Sequence, residues 1–501
     1  YDIMPSLVGS EMCIRDSRRT GGSLMKKSIV LLLPLLLLAA CARLPEHLPG
    51  AHLAHTTQIQ QTLARADHHY GITAGPWPAQ QWWKAAQLPA LDHLIQVALR
   101  QNPSLQLAST RILAAKAMTA EQQAALLPQF SAGAALTQEY FSQNGLHLQA
   151  NGKSFTYTAI NPLELRYHLD LWGRDSDQVR AALGQVRVHQ ADYAEAKLQL
   201  EKQLAWHYFL LAGETRQLHL AERLENLQKS LLQLEKQRWQ DGLNNARPVY
   251  AQTETYGSAR QSVAQLRAAI VQQRYVLAAL AGHGPDWGRN IGVEPLPDFS
   301  TINIPRQLPL RLISHRPDMV AARWEIEVSA QQVGAARAAF YPDVNIALFA
   351  GWNSIDLGDL FSPGNLAHAI GPVVSLPIFE GGKLRARLKA QNALYLAAQD
   401  HYRHTILSAV REIAGHLASW QKYRQQLQEQ TRMTKAARQD SALATAAFHS
   451  GTTNMISVYR SRIREINLQN QQITLQIHNA QSWVLLNVAL GGGYTVEKKP
   501  A

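Results

Sequence analysis

The segment Leu163-Glu-Leu-Arg-Tyr-His-Leu-Asp-Leu171, followed at once by Trp172-Gly173-Arg174, decides how the rest of this chain is read. Leu163, Leu165, Tyr167, Leu169 and Leu171 alternate with Glu164, Arg166, His168 and Asp170, so an extended strand carries grease on one face and ionisable groups on the other. No proline follows until Pro248, and helix-favouring residues run from about Arg174 to Gln240. At 1.5 Å per residue that helix is roughly 100 Å long, several times what a compact domain holds. Alternation alone suits a soluble sandwich as well as a barrel. The helix length and the N-terminal signal described below favour a barrel whose lumen is wet and is lined by Glu164, Arg166, His168 and Asp170. A second proline-free stretch runs from Ile378 to Lys499. Gly213 and Gly415 leave open whether each long helix is continuous or two stacked or kinked pieces.

The second stretch belongs to a copy of the first. Asn102-Pro103 begins an Ala-rich segment ending at Leu127-Pro128, and Arg316-Pro317 begins one ending at Tyr341-Pro342, with one offset for both proline pairs. Trp239-Gln-Asp-Gly242 recurs as Phe448-His-Ser-Gly451, Val249-Tyr250 as Val458-Tyr459, and Leu277 and Gly282 as Leu486 and Gly491. Each copy reads as a helix, two strands and long helices, with hairpin tips at Gly242 to Arg247 and Gly451 to Asn454. The expected organisation is a first repeat at 91–285, a linker at 286–308, a second repeat at 309–494 and a tail at 495–501.

Ahead of the repeats, residues 1–24 have no structural period, and Met4 to Ser17 looks like translated adapter sequence, extraneous to the natural protein. Residues 25–40 read as a secretory signal, with Lys26 and Lys27 before the apolar run Ile29 to Leu38. Leu38-Ala-Ala-Cys41 resembles a bacterial lipobox, which makes Cys41 the expected lipidation site and the start of a lipid-anchored segment, 41–90. Several acyl chains, at about 0.8 kcal/mol per buried CH₂, hold where one does not. Ala42 stands where an aspartate would signal retention in the inner membrane, so the expected destination is the outer one.

Composition narrows the rest. Hydrophobic residues make up 46% and charged residues 17%, enough apolar material for ordered cores. Two cysteines exclude a disulfide scaffold. The net charge of +12 is dispersed, without a run of five basic residues, so nucleic acid is not an expected partner. His47, His52, His55, His68 and His69 cluster near Asp67, but their irregular spacing is not that of a closed metal site, and no metal or other cofactor is expected beyond the lipid on Cys41. Trp82 and Trp83 read as a pin holding the N-terminal segment in a groove. Gly491-Gly-Gly493 lacks the strand before it and the helix after it that a phosphate loop needs. No catalytic constellation emerges.

The lipobox, Trp82-Trp83 with Leu88-Pro-Ala-Leu-Asp92, Asn102-Pro103, Leu169-Asp-Leu-Trp-Gly173, Arg316-Pro317-Asp318, Pro377-Ile-Phe-Glu-Gly-Gly382 and Leu490-Gly-Gly-Gly-Tyr494 together resemble the TolC-like outer-membrane efflux factors, in the lipid-anchored NodT-type branch. The resemblance implies a mainly α chain with a membrane β-barrel part. Three copies form a homotrimer, each giving four strands to a 12-stranded outer-membrane barrel above a long periplasmic α-helical barrel. It further implies a periplasmic membrane-fusion adaptor and an inner-membrane transporter as partners, outer-membrane lipid around the barrel, and a passive duct for drugs or organic compounds that performs no chemistry. The same fold serving type I protein or peptide secretion, or a lipid-anchored coiled-coil scaffold without a pore, are the alternatives.

In that family the periplasmic gate lies near the second hairpin tip, with an aromatic three residues before the tip glycine and aspartates six and nine after it. Aligned on Gly451, the aromatic is Phe448, but the acidic positions hold Ser457 and Arg460. Arg464 is one turn beyond Arg460 on the same helical face. Three copies of each would ring a pore and favour anions, unless Arg460 points between helices and pairs with a neighbouring chain's carboxylate.

Overall fold

The computed structural model describes residues 72–146, 149–304 and 315–495. The signal, Cys41 with its lipobox and the histidine-rich segment at 47–69 lie outside the described residues, as do 496–501 of the tail. A short strand β1 (Ile72–Ala74) leads to a 3-10 turn at Trp82–Ala86 and helices α1 (Pro89–Gln101) and α2 (Pro103–Ala124). Strands β2 (Gln129–Tyr140) and β3 (Ser154–Leu169) follow, then the long helices α3 (Arg174–Gln240) and α4 (Arg247–Leu280). After β4 (Ile302–Ile304) the pattern repeats as α5 (Pro317–Ala338), β5 (Asp343–Ser354), β6 (Leu366–Ser375), α6 (Lys383–His449) and α7 (Met455–Ala489). Proline opens α1, α2 and α5 at the first helical position, where its missing N–H costs nothing.

Helices α3 and α6 each run unbroken for 67 residues, so neither Gly213 nor Gly415 divides them. Gly213 is there for close approach: a Cβ would collide with Ile477 of α7. Each long helix turns at its tip into its partner, α3 into α4 and α6 into α7. The hairpins meet where α3 packs on α7, around Leu220, Ile466, Ile473 and Ile477.

The largest apolar core sits at the waist of the molecule, where Tyr208, Phe209, Trp420 and Trp483 from three long helices meet Trp82, Trp83, Leu91 and Ile95 of the N-terminal segment. Both tryptophans of the pair are 2% exposed, and both are tied by indole N–H bonds: Trp82 Nε1 donates to Glu201 Oε2 at 3.3 Å and Trp83 Nε1 to Asp92 Oδ1 at 2.9 Å. They pin the segment, as read from the sequence. β1 pairs in parallel with β4, so the N-terminal and inter-repeat segments form one belt.

One device closes each repeat. Asn102 Nδ2 donates to the Leu280 carbonyl at 2.9 Å, joining the start of α2 to the end of α4, and its Oδ1 accepts from the Leu105 N–H at 3.0 Å. At the corresponding place Arg316 Nη1 donates to the Ala489 carbonyl at 3.1 Å. Gly282 and Gly491 follow with φ of 81° and 89°, and a Cβ on either would collide with the backbone carbonyl of Gln101 or His315.

Candidate conduit and its constrictions

The four-stranded antiparallel sheet runs β2-β3-β5-β6, and its register shows which side chains share a face. Phe130, Leu165, Leu348 and Ile370 form one row across all four strands. Tyr167, Ile346 and Pro372, then Leu169, Val344 and Val374, continue that apolar face. On the other face lie Ser131 beside Glu164, Gln129 beside Arg166, and His168 beside Asn345. One surface suits hydrocarbon and the other water.

Two details depart from the sequence pattern. The strand begins before Pro162 and passes through it, because the pairing with β5 shifts between Ile160 and Leu163 and leaves the proline in a bulge, where no N–H is required. At the other end the strand stops at Leu169, so Asp170 lies just beyond the strand and not within it. Its carboxylate accepts from the Asp175 N–H at 3.1 Å and from the Ser176 N–H at 2.8 Å, satisfying backbone donors at the start of α3.

The remaining wet-face residues occupy distinct surroundings. Glu164 accepts from Asn161 at 3.2 Å and Ser131 at 3.4 Å, and Arg166 is exposed. His168 bonds Asp175 through Nδ1, and its Nε2 lies 3.6 Å from Asp343, which Arg174 approaches at 3.4 Å. With Trp172 stacked on Tyr341 at 4.7 Å, His168, Arg174 and Asp343 line a cavity of about 360 Å³ where strands become helices, and Asp175 stands behind His168. Asp175 and Asp343 escaped the sequence reading because only the fold brings them beside His168.

At the lower tip, Phe448 is 37% exposed and lies edge-on to His449. Ser457 belongs to the cap of α7, its N–H and hydroxyl both donating to Asn454 Oδ1, at 3.0 and 3.2 Å. Arg460 and Arg464 are both exposed. Arg464 pairs with Asp440 of α6 at 3.3 Å, whereas Arg460 makes no ion pair among the described residues.

The layer is open along both edges at every level. In the upper half α3 packs on α2 and α5, and α5 on α6, leaving α2 and α6 outermost as β2 and β6 are in the sheet. Leu107, Leu113 and Met118 on α2 and Leu394 and Leu407 on α6 are all more than half exposed.

The model of a family described as "Outer membrane efflux protein" matches residues 94–283 and again 308–492. The fusaric acid resistance protein FusA of Burkholderia cepacia is 33% identical over 365 residues, 72% of this chain and 68% of that protein. The multidrug resistance outer membrane protein MdtP of Shigella flexneri is 28% identical over 458 residues, 89% of this chain and 93% of its own. Among solved structures, the outer membrane protein VceC of Vibrio cholerae superposes with a TM-score of 0.75 at 29% identity, covering 83% of this chain and all of the other.

Proposed function

Since this chain belongs to the outer membrane efflux protein family, and so is the outer-membrane channel component of a tripartite efflux system, we propose that three copies close edge to edge into a single duct. The observation that carries this reading is the pair of open edges. A sheet with free edges at β2 and β6 and an apolar face cannot rest in a membrane alone, and a ring of three joins every β6 to the next β2. The apolar row of Phe130, Leu165, Leu348 and Ile370 then faces lipid, and Glu164, Arg166 and His168 face the lumen. Cys41 carries the acyl anchor. A membrane-fusion adaptor and an inner-membrane transporter engage the lower end, and the transporter supplies the energy.

Phe448, Ser457, Arg460 and Arg464 mark the narrowest point. With Arg464 compensated by Asp440, the three copies of Arg460 set the charge there, and the duct leans toward anions. The name of the Burkholderia cepacia relative, fusaric acid resistance protein, supports organic acids as one cargo class.

The test is single-channel recording of the purified protein in a planar bilayer under a KCl gradient. A discrete conductance with anion-favouring reversal potential is expected, and Arg460→Asp should move that potential toward cation preference. An unchanged potential removes Arg460 from the conducting path, and an absence of conductance removes the duct. Palmitate labelling that Cys41→Ala abolishes checks the anchor.

A further inference from the structure

The belt segment at 291–304 crosses one face of the helical layer. Glu294 meets Tyr208, Phe299 stacks on Trp483 and packs edge-on to Phe209, Asn479 donates to the Phe299 carbonyl, and Asp298 pairs with Arg424. Descending each helix from those contacts in steps of three and four, Arg216 and Arg223 share the Phe209 face of α3. Gln476 and Gln469 share the Trp483 face of α7, and Lys435 and Arg438 the Arg424 face of α6. This is the outer face, because three copies of the belt on the other side would fill the lumen.

Just below the belt these faces enclose a groove of about 720 Å³ that holds Arg216, His219, Lys435 and Arg438, and Arg223 and Arg462 line the hollow that follows. Among the described residues, Glu465 is the only carboxylate lining either hollow. His219, Arg223, Lys435 and Arg438 make no hydrogen bond or ion pair among the described residues, so the charges of the arginines and the lysine are uncommitted. Such a set favours an anionic partner. An amphipathic helix would need apolar anchors in the groove. Here the apolar lining residues, Leu220 and Ile473, are only 8% and 4% exposed and already belong to the α3–α7 contact. What remains accessible is the carbon stems of the long polar side chains, tipped with guanidinium, ammonium, imidazole, hydroxyl and amide, and no apolar side chain stands out as an anchor.

From these observations we infer that the groove binds a hydrophilic, carboxylate-bearing polymer, the peptide stems of the peptidoglycan through which the duct passes. This rests on the reading that the long helices cross the periplasm. Arg216 and Arg223 then stand roughly 60–75 Å below the start of α3. The cell wall is the dense source of free carboxylates between the membranes, and three grooves per trimer would grip it without apolar contact.

The experiment is co-sedimentation of the detergent-solubilised full-length protein with purified peptidoglycan sacculi. The wild type should sediment with sacculi at low salt and be released at about 0.5 M NaCl, where charges on the surface are screened. The triple reversal Arg223→Glu, Lys435→Glu and Arg438→Glu should lower the bound fraction roughly tenfold. Neutralising three exposed cations elsewhere, Arg100→Gln, Lys229→Gln and Lys236→Gln, should leave it unchanged. Wild type that stays in solution, or a reversal that sediments like wild type, overturns the proposal. So does a reversal that keeps sacculus binding and loses capture of the adaptor, which assigns the groove to a protein. Planar-bilayer conductance of the reversal variant separates the outcomes: if it conducts like wild type the duct reading stands whatever the sacculi show, and if wild type itself does not conduct, that reading has failed instead.

Discussion

The two repeats close by the same backbone geometry with opposite chemistry. In the first, a neutral Asn102 spans from the start of α2 to the Leu280 carbonyl. In the second, Arg316 makes the matching bond to Ala489 and also contacts Asp318 at 2.7 Å and Glu412 at 3.1 Å. Arg316 is 8% exposed, yet its pKa is raised: burial acts to lower it, and the two carboxylates outweigh that effect. The joint is common to both copies, and in the second it carries a buried arginine held by two part-buried carboxylates. The ionic joint is therefore the more brittle of the two, since removing its cation strands two carboxylates.

Arg316→Ala should accordingly give the largest loss, about 3–4 kcal/mol because both carboxylates keep some contact with solvent, read as a fall in the thermal midpoint of the protein. Next come the glycines. Gly491→Ala and Gly282→Ala both force a Cβ into a carbonyl at positive φ and should cost roughly 2–4 kcal/mol each, and a much smaller loss at one would show that its joint can open.

The two carboxylates that hold the tryptophan pair differ in depth, Glu201 on α3 being buried and Asp92 on α1 part-buried. Burial raises the pKa of Glu201, 2% exposed, to about 7, against an ordinary value near 4.5, with Lys197 and Trp82 acting the other way. A raised folded-state pKa favours the protonated form, so this contribution is full below about pH 4.5 and is lost as pH rises to about 7, by at most about 3 kcal/mol. Glu201→Gln should flatten the pH dependence of stability across that window, measured by thermal melts at pH 5 and 8. Asn102→Ala is the smallest change expected, about 1–2 kcal/mol for one cap and one cross-link. If it matched Arg316→Ala, the contrast between the joints would be void.

Much of this was legible in the sequence because it is local. The limits of α3 follow from proline-free, helix-favouring sequence after Gly173, and the repeat is visible through its prolines. The continuity of β3 through Pro162 was not, because a bulge is set by the register of two partner strands. Asp170 misleads for a related reason: it continues the alternation after the strand has ended, and its carboxylate answers to helix donors instead. At the tip, the shared face of Arg460 and Arg464 follows from helical spacing. The Asp440 that neutralises one of them lies on the other arm of the hairpin, where no spacing rule reaches.

The unbroken course of α3 and α6 carries a mechanical consequence. A helix of roughly 100 Å with no hinge moves as a lever pivoting at the waist or the sheet. A tilt of about 5° sweeps the far end through roughly 9 Å for a pivot at the sheet and roughly 4 Å for one at Phe209, so in the proposed trimer three side chains meeting on an axis would part without a single turn unfolding. In the proposed duct, opening at the bottom would then be a matter of leverage from above, with stiffness along the rod setting how faithfully a small push at one end becomes a wide aperture at the other.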